Sequence, residues 1–161
     1  MAIIVEDGTG LSTAETYVSV ADALVYHVAM GNTAWAAATT AAQEIALRRG
    51  TQYIDNRYRF RGEQLVSDQA LEHPRVGYER GNRVEAWPVA ALKRACCEVS
   101  LRALADTLYE DVSTDQVTEE TVGPITIKYA SKGGQTRYPV VDALLARYVL
   151  GGPGQLRLER A

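Results

Sequence analysis

The sequence predicts a mainly α-helical protein, a bundle of about four helices with a small β-hairpin and extended arms at both ends. Apolar residues recur at helical spacing in several separate stretches. In one later stretch they alternate with polar residues, as in paired strands. The 161 residues, 47% of them hydrophobic, suffice for one domain with a buried core. We expect this domain to span residues 1–150 and an extended tail to span 151–161.

The first two helices are predicted after an extended arm at residues 2–6 and a glycine-containing turn at 7–10. Ser19 and Asp22 have nearly the spacing of a capping box, and Gly31-Asn32 tolerates the backbone that ends a helix. Thr40 with Gln43 marks the second start, with an end near Tyr58. The two apolar stripes are Val20, Ala23, Leu24, His27 and Val28, and then Ala46, Leu47, Gly50, Tyr53 and Ile54.

Residues 59–87 lack periodicity, so we expect irregular structure there with one helical turn near Asp68–Leu71. Pro88 suits the first position of the longest helix, which should end near Tyr109. Two apolar rows predict that this helix is central. The rows are Leu92, Cys96, Val99 and Ala103, and Cys97, Leu101, Leu104 and Leu108. A polar stripe on the same helix, Arg94, Glu98, Arg102 and Asp106, has the spacing of ion pairs.

A hairpin is predicted near residues 117–129, where two strand-like runs flank a Gly-Pro pair. We expect it to project from the bundle. Its candidate residues are Val117, Val122, Gly123, Pro124, Ile125, Ile127 and Tyr129. Pro139 then opens the last helix, with the stripe Val141, Leu144, Leu145 and Tyr148, and the Gly-rich run at 151–154 ends it.

Charge is unevenly distributed in a chain whose net charge is −3. That balance argues against a dedicated duplex-binding protein, which usually carries a basic excess. The candidate contact residues form a basic set, Arg48, Arg49, Arg57, Arg59 and Arg61, and an acidic set, Asp106, Glu110, Asp111, Glu119 and Glu120. Oppositely charged edges suit head-to-tail packing of identical subunits. Two solvated surfaces would give the same pattern.

The sequence offers few groups for catalysis or metal binding. It has two histidines, His27 in an apolar helix stripe and His73 beside a proline, and the neighbouring cysteines Cys96 and Cys97. Motifs for nucleophilic serine, phosphate loops and zinc helices do not occur. We therefore predict a non-enzymatic protein without cofactor or metal. It contains no apolar run of membrane-spanning length and no signal peptide, which predicts a cytoplasmic location.

The segment Tyr53–Gly62 interleaves aromatic residues with arginines. Aromatic faces can stack on bases while guanidinium groups hold phosphates, as in single-strand binding. The same pattern fits a helix end whose aromatic side chains enter the core. The negative net charge favours the second interpretation.

Several stretches together resemble a known family. They are MAIIVEDGTG at 1–10, TYVSVADA at 16–23, YIDNRYRFRG at 53–62, ALEHPR at 70–75, VGPITIKY at 122–129 and YPVVDALL at 138–145. Over roughly residues 1–150 the chain resembles the head–tail connector, or adaptor, proteins of tailed double-stranded DNA bacteriophages. Some members of that family are labelled DnaT-like single-stranded DNA-binding. An aromatic residue often precedes the Pro-Arg pair in the family, and this chain has His73 there.

The resemblance implies a structural virion protein that forms a ring, expected to be a dodecamer, in the phage neck. Its partners would be further copies of itself, the portal protein and a downstream neck, stopper or tail protein, with duplex DNA passing through the lumen. Assembly would follow synthesis in the host cytoplasm. The implied portal-docking tail is Gln155, Leu156, Arg157, Leu158 and Arg160. The alternative is a single-stranded DNA-binding replication helper that uses the Tyr53–Arg61 segment.

Overall fold

The computed structural model describes residues 3–79, 82–85, 90–109, 119–122, 125–128 and 137–150. Within these ranges the helices are α1 (Val20–Ala29), α2 (Thr33–Ala37), α3 (Thr40–Arg57), α4 (Ala90–Ala105) and α5 (Pro139–Leu145). The strands are β1 (Glu63–Gln64), β2 (Arg75–Glu79), β3 (Asn82–Glu85), β4 (Glu119–Val122) and β5 (Ile125–Lys128). The predicted mainly α class with a small hairpin is confirmed. The division into a domain at 1–150 and a tail at 151–161 stays a prediction.

The N-terminal arm is extended and pairs with the residues before α1. Val5 forms a parallel bridge with Thr16, and the Glu6 amide donates to the Thr16 carbonyl at 2.9 Å. The buried Glu6 carboxylate then accepts the backbone N–H groups of Gly8, Gly10 and Leu11, each at 2.9 Å. Gly10 has φ +82°, a conformation that glycine adopts without strain. One carboxylate therefore organises the predicted turn.

The core forms where α3 packs on α4. Every residue of the predicted α3 stripe is buried, and so are Leu92, Cys96, Val99 and Ala103 of α4. Gly50 lets the two helices approach closely, because a Cβ there would lie 2.4 Å from the Ser100 hydroxyl oxygen. Of the second α4 row, Cys97 and Leu108 are buried while Leu101 and Leu104 are partly covered. The prediction of a central α4 is confirmed.

The helix caps follow the sequence signals with small shifts. The Ser19 side chain accepts the Asp22 amide at the start of α1. The α3 cap is Thr39, which accepts from the Ala42 amide, one residue before the predicted start. Gly31, with φ +75°, follows α1 as expected.

The predicted α1 stripe is only partly correct. Ala23 and His27 are buried, whereas Leu24 and Val28 are 38% and 65% exposed. Only a narrow strip of α1 packs against the rest of the protein. The spacing of apolar residues does not show how wide that packed strip is. The short helix α2, which was not predicted, places Trp35 against the His27 ring with centroids 4.6 Å apart.

The prediction that residues 59–87 are irregular is wrong. The strands β1, β2 and β3 form an antiparallel sheet in that order, with Glu63 opposite Val76 and Gly77 opposite Val84. In place of the helical turn expected near Asp68–Leu71, these described residues form a single turn in which the Gln69 backbone N–H donates to the Val66 carbonyl at 3.4 Å. The Gln69 side-chain NH₂ group donates to the Leu71 and Pro74 carbonyls, and such local side-chain bonds compete with helix formation.

The predicted hairpin is confirmed in β4 and β5, which are antiparallel with Glu119 opposite Lys128 and Val122 opposite Ile125. Val117, Gly123, Pro124 and Tyr129 lie outside the described residues, as do Pro88 and the 151–161 segment. The last helix ends at Leu145, earlier than predicted. Val149 then pairs with Phe60 in an isolated bridge, which ties the end of α5 to the end of α3.

Candidate nucleic-acid interface

The exposed face of the C-terminal half of α3 is polar and uncharged apart from its arginines. Arg49, Gln52 and Asn56 are exposed and follow one another at spacings of three and four, so they lie on one side of the helix. Guanidinium and amide groups of this kind bind phosphates and base edges. This face lies beside the point where α4 ends.

Three tyrosine rings in contact, which we call the tyrosine ladder, lie at that point, with planes tilted by 36° and 54° from one ring to the next. Tyr109, just after α4, is 45% exposed and lies 4.9 Å from the buried Tyr53 ring, centroid to centroid. Tyr53 in turn lies 5.3 Å from Tyr138, which precedes α5. Tyr109 is accessible to solvent, and Tyr53 is fixed by the surrounding core. Tyr109 is thus an exposed aromatic side chain with a fixed support.

Positive charge surrounds the tyrosine ladder. Burial raises the pKa of Tyr53 and Tyr109, and the charge of Arg57 opposes that rise at both phenols, which places its guanidinium beside them. The Arg102 guanidinium carbon lies 5.2 Å from the Tyr138 ring centroid, within cation–π range. Arg102 also pairs with Glu98 at 3.0 Å, as the predicted α4 stripe implied.

A surface cleft of about 340 Å³, the first cleft, lies between α3 and the end of α4. Its described lining residues include no acidic side chain and are Arg49, Gln52, Tyr53, Asn56, Thr107, Leu108 and Tyr109. An exposed aromatic ring, a guanidinium and two amides therefore meet in one open depression. Such a set can stack on a base and contact its phosphate.

A second cleft of about 460 Å³ opens on the other side of Asn56, which lines both clefts. Its chemistry differs, because two carboxylates, Asp55 and Glu72, lie in it with Arg59 and Arg75. Glu72 pairs with Arg75 at 2.6 Å. Further lining comes from Tyr58, Phe60 and Leu150.

Asp55 is the most perturbed acid of the second cleft. Burial raises its pKa to about 7, although bonds from the Tyr17 hydroxyl and the Glu72 amide favour the charged form. The amide of His73 donates to the same Tyr17 hydroxyl at 3.3 Å. Burial also lowers the pKa of His73 to about 4, and the Arg75 charge adds to that effect.

The five predicted basic contact residues are in different surroundings. Arg48 pairs with Glu15 at 3.0 Å, on the side of the N-terminal arm. Arg49 lines the first cleft, Arg57 lies by the tyrosine ladder and Arg59 lines the second cleft. The Arg61 side chain donates to the Val149 carbonyl at 3.0 Å. Of the five, Arg49 and Arg59 line the two clefts and Arg57 lies beside the tyrosine ladder, while Arg48 and Arg61 are engaged elsewhere.

Of the acidic set, Asp106 accepts the Thr107 amide at 2.7 Å beside the first cleft. Glu119 and Glu120 belong to β4, and Glu110 and Asp111 lie outside the described residues. The tail residues Gln155, Leu156, Arg157, Leu158 and Arg160 also lie outside them. The roles predicted for these residues and for the hairpin stay predictions.

The aromatic residues of the Tyr53–Gly62 segment face the interior, as the structural interpretation expected. Tyr53 and Phe60 are 1% and 3% exposed, and the Tyr58 hydroxyl donates to Asp142 at 2.7 Å. Sequence reasoning missed the exposed aromatic, Tyr109. A signal was available, because Tyr109 belongs to neither apolar row of the helix predicted to end there.

The described residues contain no group of three or more His, Cys, Asp or Glu side chains placed to hold a metal ion. Cys96 and Cys97 are free and buried, and burial raises the pKa of both thiols. No described helix has the length and apolar character needed to cross a membrane. The predicted absence of catalysis, cofactor, metal and membrane partner stays a prediction.

The fold and the first cleft define a class: a small, mainly helical protein with an open cleft of aromatic, amide and arginine side chains. A family model described as "Putative DnaT-like ssDNA binding protein" matches residues 1–161, and the chain belongs to that family. No curated protein and no solved structure matches the chain.

This match corrects the prediction of a virion connector. The family description names single-stranded DNA binding and gives no support to a head–tail adaptor, so the structural virion assignment is wrong. The ring of twelve copies, the portal and tail partners and the neck location were implied by that resemblance alone, and they lose their basis with it. The cytoplasmic location stays a prediction.

Proposed function

We propose that this chain binds single-stranded DNA through the first cleft, as a non-enzymatic helper protein. One observation carries the proposal: Tyr109 is exposed and packs against the buried Tyr53, with Arg49 in the same cleft and Arg57 beside both rings. The family description supports the same ligand. Binding of this kind makes no covalent bond and needs no cofactor.

The physical basis is the combination of stacking and charge. A base can stack on Tyr109, and every base has a π face, so this contact does not depend on sequence. Arg49 and Arg57 lie where they can meet the phosphates on either side of that base. Because Tyr53 holds Tyr109 in place, little side-chain freedom is lost when the base arrives.

The negative net charge is compatible with this function. The described lining residues of the first cleft carry no carboxylate, although the chain as a whole has a charge of −3. Interactions between exposed charges fall off over about 8 Å at physiological salt, so nearby arginines outweigh distant acids. Affinity should be moderate, because few phosphates are neutralised.

The test is a fluorescence anisotropy titration with a labelled oligonucleotide of roughly 12 nucleotides, within the span that single-strand-binding domains cover. Removing a stacked aromatic costs about 1–3 kcal/mol per base, so Tyr109→Ala should weaken binding roughly 5- to 150-fold. Tyr109→Phe keeps the ring and should bind within about twofold of the wild type.

Arg94→Ala is the matched control for Arg49→Ala. Arg94 is also exposed on a helix, but it lies beside Tyr26, away from the first cleft. Arg49→Ala should weaken binding and Arg94→Ala should leave it unchanged. Equal affinity of wild type and Tyr109→Ala, or no binding even at low salt, would overturn the proposed function.

A further inference from the structure

The second cleft has a chemistry that backbone binding does not use. It adjoins the first cleft through Asn56, so a strand stacked on Tyr109 can continue into it. A phosphate-binding groove would be lined by cations, yet Asp55 and Glu72 line this one. The side chains that line the second cleft therefore suit the base of a nucleotide, which is neutral and forms hydrogen bonds.

We propose that the second cleft holds a neighbouring base and that Asp55 makes it favour cytosine, with its exocyclic amino group, over thymine or uracil. This inference rests on the proposed function. It deepens that function by assigning a specificity-determining residue.

The Asp55 carboxylate is held in a fixed direction. One oxygen accepts the Tyr17 hydroxyl and the other accepts the Glu72 amide at 3.3 Å. A carboxylate has about four lone-pair positions, so each oxygen can accept a further donor. Asp55 lines the second cleft, so a further donor can approach its carboxylate from there.

Three other polar groups of the second cleft, Arg75, Glu72 and Tyr58, already have partners within the protein. The Arg75 side chain pairs with Glu72 and also donates to the Arg61 and Gly62 carbonyls at 3.1 and 2.6 Å. The Tyr58 hydroxyl donates to Asp142. Arg59 is exposed at the opening and can take the phosphate that links the two bases.

The bases differ in what they offer a carboxylate. Cytosine presents its N4 amino group as a donor, and Asp or Glu accepting from that group is an established pairing. Thymine and uracil present the O4 acceptor at the same position, which a carboxylate repels. The preference should be roughly fivefold, the scale of one net hydrogen bond.

The test compares two otherwise identical oligonucleotides, one of deoxycytidine and one of deoxyuridine, by competition in the anisotropy assay at about pH 8.5, where Asp55 is ionised. The wild type should bind the cytosine strand roughly fivefold more tightly. Asp55→Asn, which can donate to O4, should abolish or reverse the preference. Arg94→Ala should keep it, and Tyr109→Ala should weaken both strands while leaving their ratio unchanged.

The outcomes separate the two proposals. If neither strand binds, the proposed function fails. If both bind equally to the wild type, or if a folded Asp55→Asn variant keeps the cytosine preference, this inference fails while the proposed function stands. Equal binding of the two strands by the wild type overturns the inference by itself, so the test can fail even if Asp55→Asn does not fold.

Discussion

At the scale of single residues, buried ionisable groups organise the irregular parts of the chain. Glu6 is 2% exposed and accepts three backbone N–H groups in the turn after the N-terminal arm. Charge-assisted bonds of this kind are stronger than neutral ones. The turn has no apolar core of its own, so this one side chain defines its shape.

Glu6→Gln should therefore destabilise the protein. The glutamine NH₂ group would face backbone donors that the carboxylate now satisfies, and an unsatisfied buried donor costs about 1–3 kcal/mol. Urea unfolding followed by circular dichroism measures the loss. Glu63→Gln, at an exposed position on β1, is the control and should change stability little. Equal unfolding midpoints for the two variants would contradict the role given to Glu6.

His73 and Asp55 give opposite pH dependences. Burial lowers the pKa of His73 to about 4, so its stabilising contribution is complete above the ordinary histidine value of about 6.5 and is lost as pH falls through 4. Burial raises the pKa of Asp55 to about 7, so its contribution is lost as pH rises from about 4 through 7. Between about pH 4 and pH 6.5, a fall in pH therefore lowers the stability through His73 and raises it through Asp55.

His73→Phe should remove the histidine effect. The ring packs edge-on against Phe60, with centroids 4.5 Å apart, and a phenyl ring can occupy that place. Between pH 7 and pH 4 the wild type should lose about 3 kcal/mol relative to the variant, because 2.5 pKa units separate the unfolded and folded states. Urea unfolding at both pH values measures this, and parallel pH profiles would contradict it.

The residue scale also shows what sequence spacing can predict. Spacing identified Tyr53 and Ile54 as core residues because they lie on the α3 stripe that faces α4. It could not place the Tyr17 hydroxyl on Asp55, since those residues are 38 positions apart. The second cleft depends on such contacts between distant segments, and so it was not predictable.

At the scale of elements, the packing of α3 against α4 forms the centre of the core. Gly50 faces Ser100, whose hydroxyl donates to the Cys96 carbonyl at 2.7 Å. A side chain at position 50 would meet that hydroxyl oxygen at 2.4 Å and the Ser100 amide nitrogen at 3.1 Å. The close approach keeps Arg49 and Gln52 of α3 near the end of α4.

Gly50→Ala should destabilise the protein although alanine is the better helix former by about 1 kcal/mol. Overpacking typically costs about 1–3 kcal/mol, and the contact here is with the adjoining helix backbone as well as the hydroxyl. The double variant Gly50→Ala/Ser100→Ala should recover part of the loss, as a double-mutant cycle would measure. Gly77→Ala, with open space at the Cβ position, is the control. A stabilised Gly50→Ala protein would contradict this account.

Element prediction succeeded where an element carries its own periodic signal. The helices α1, α3, α4 and α5 and the β4–β5 hairpin have such signals in their apolar spacing and bounding glycine or proline residues. The strand β1 has only two residues, Glu63 and Gln64, and both are exposed. It forms because it pairs with β2. Pairing with a strand beyond a loop produces no alternation of apolar and polar residues within β1 itself. The five-residue α2 is likewise too short for a periodic signal.

At the scale of the whole molecule, charge sets how the proposed ligand would be bound. The net charge of −3 and the pI near 5.4 mean that the molecule as a whole does not attract a negatively charged DNA strand. The local exception is the set of arginines at the two clefts and the tyrosine ladder: Arg49, Arg57 and Arg59. Binding should thus depend on a few short-range contacts. Stacking on Tyr109 should supply a part of the binding free energy that salt does not screen.

The salt dependence of binding tests this directly. Each neutralised phosphate contributes about −0.7 to the slope of log K against log salt for single strands, so three arginine contacts give a slope near −2. Arg49→Ala should make the slope shallower by about 0.7, while Tyr109→Ala should lower affinity at every salt concentration without changing the slope. Arg94→Ala should alter neither. A wild-type slope far steeper than −2 would mean that a larger basic surface binds the strand, and the cleft would then not be the principal contact.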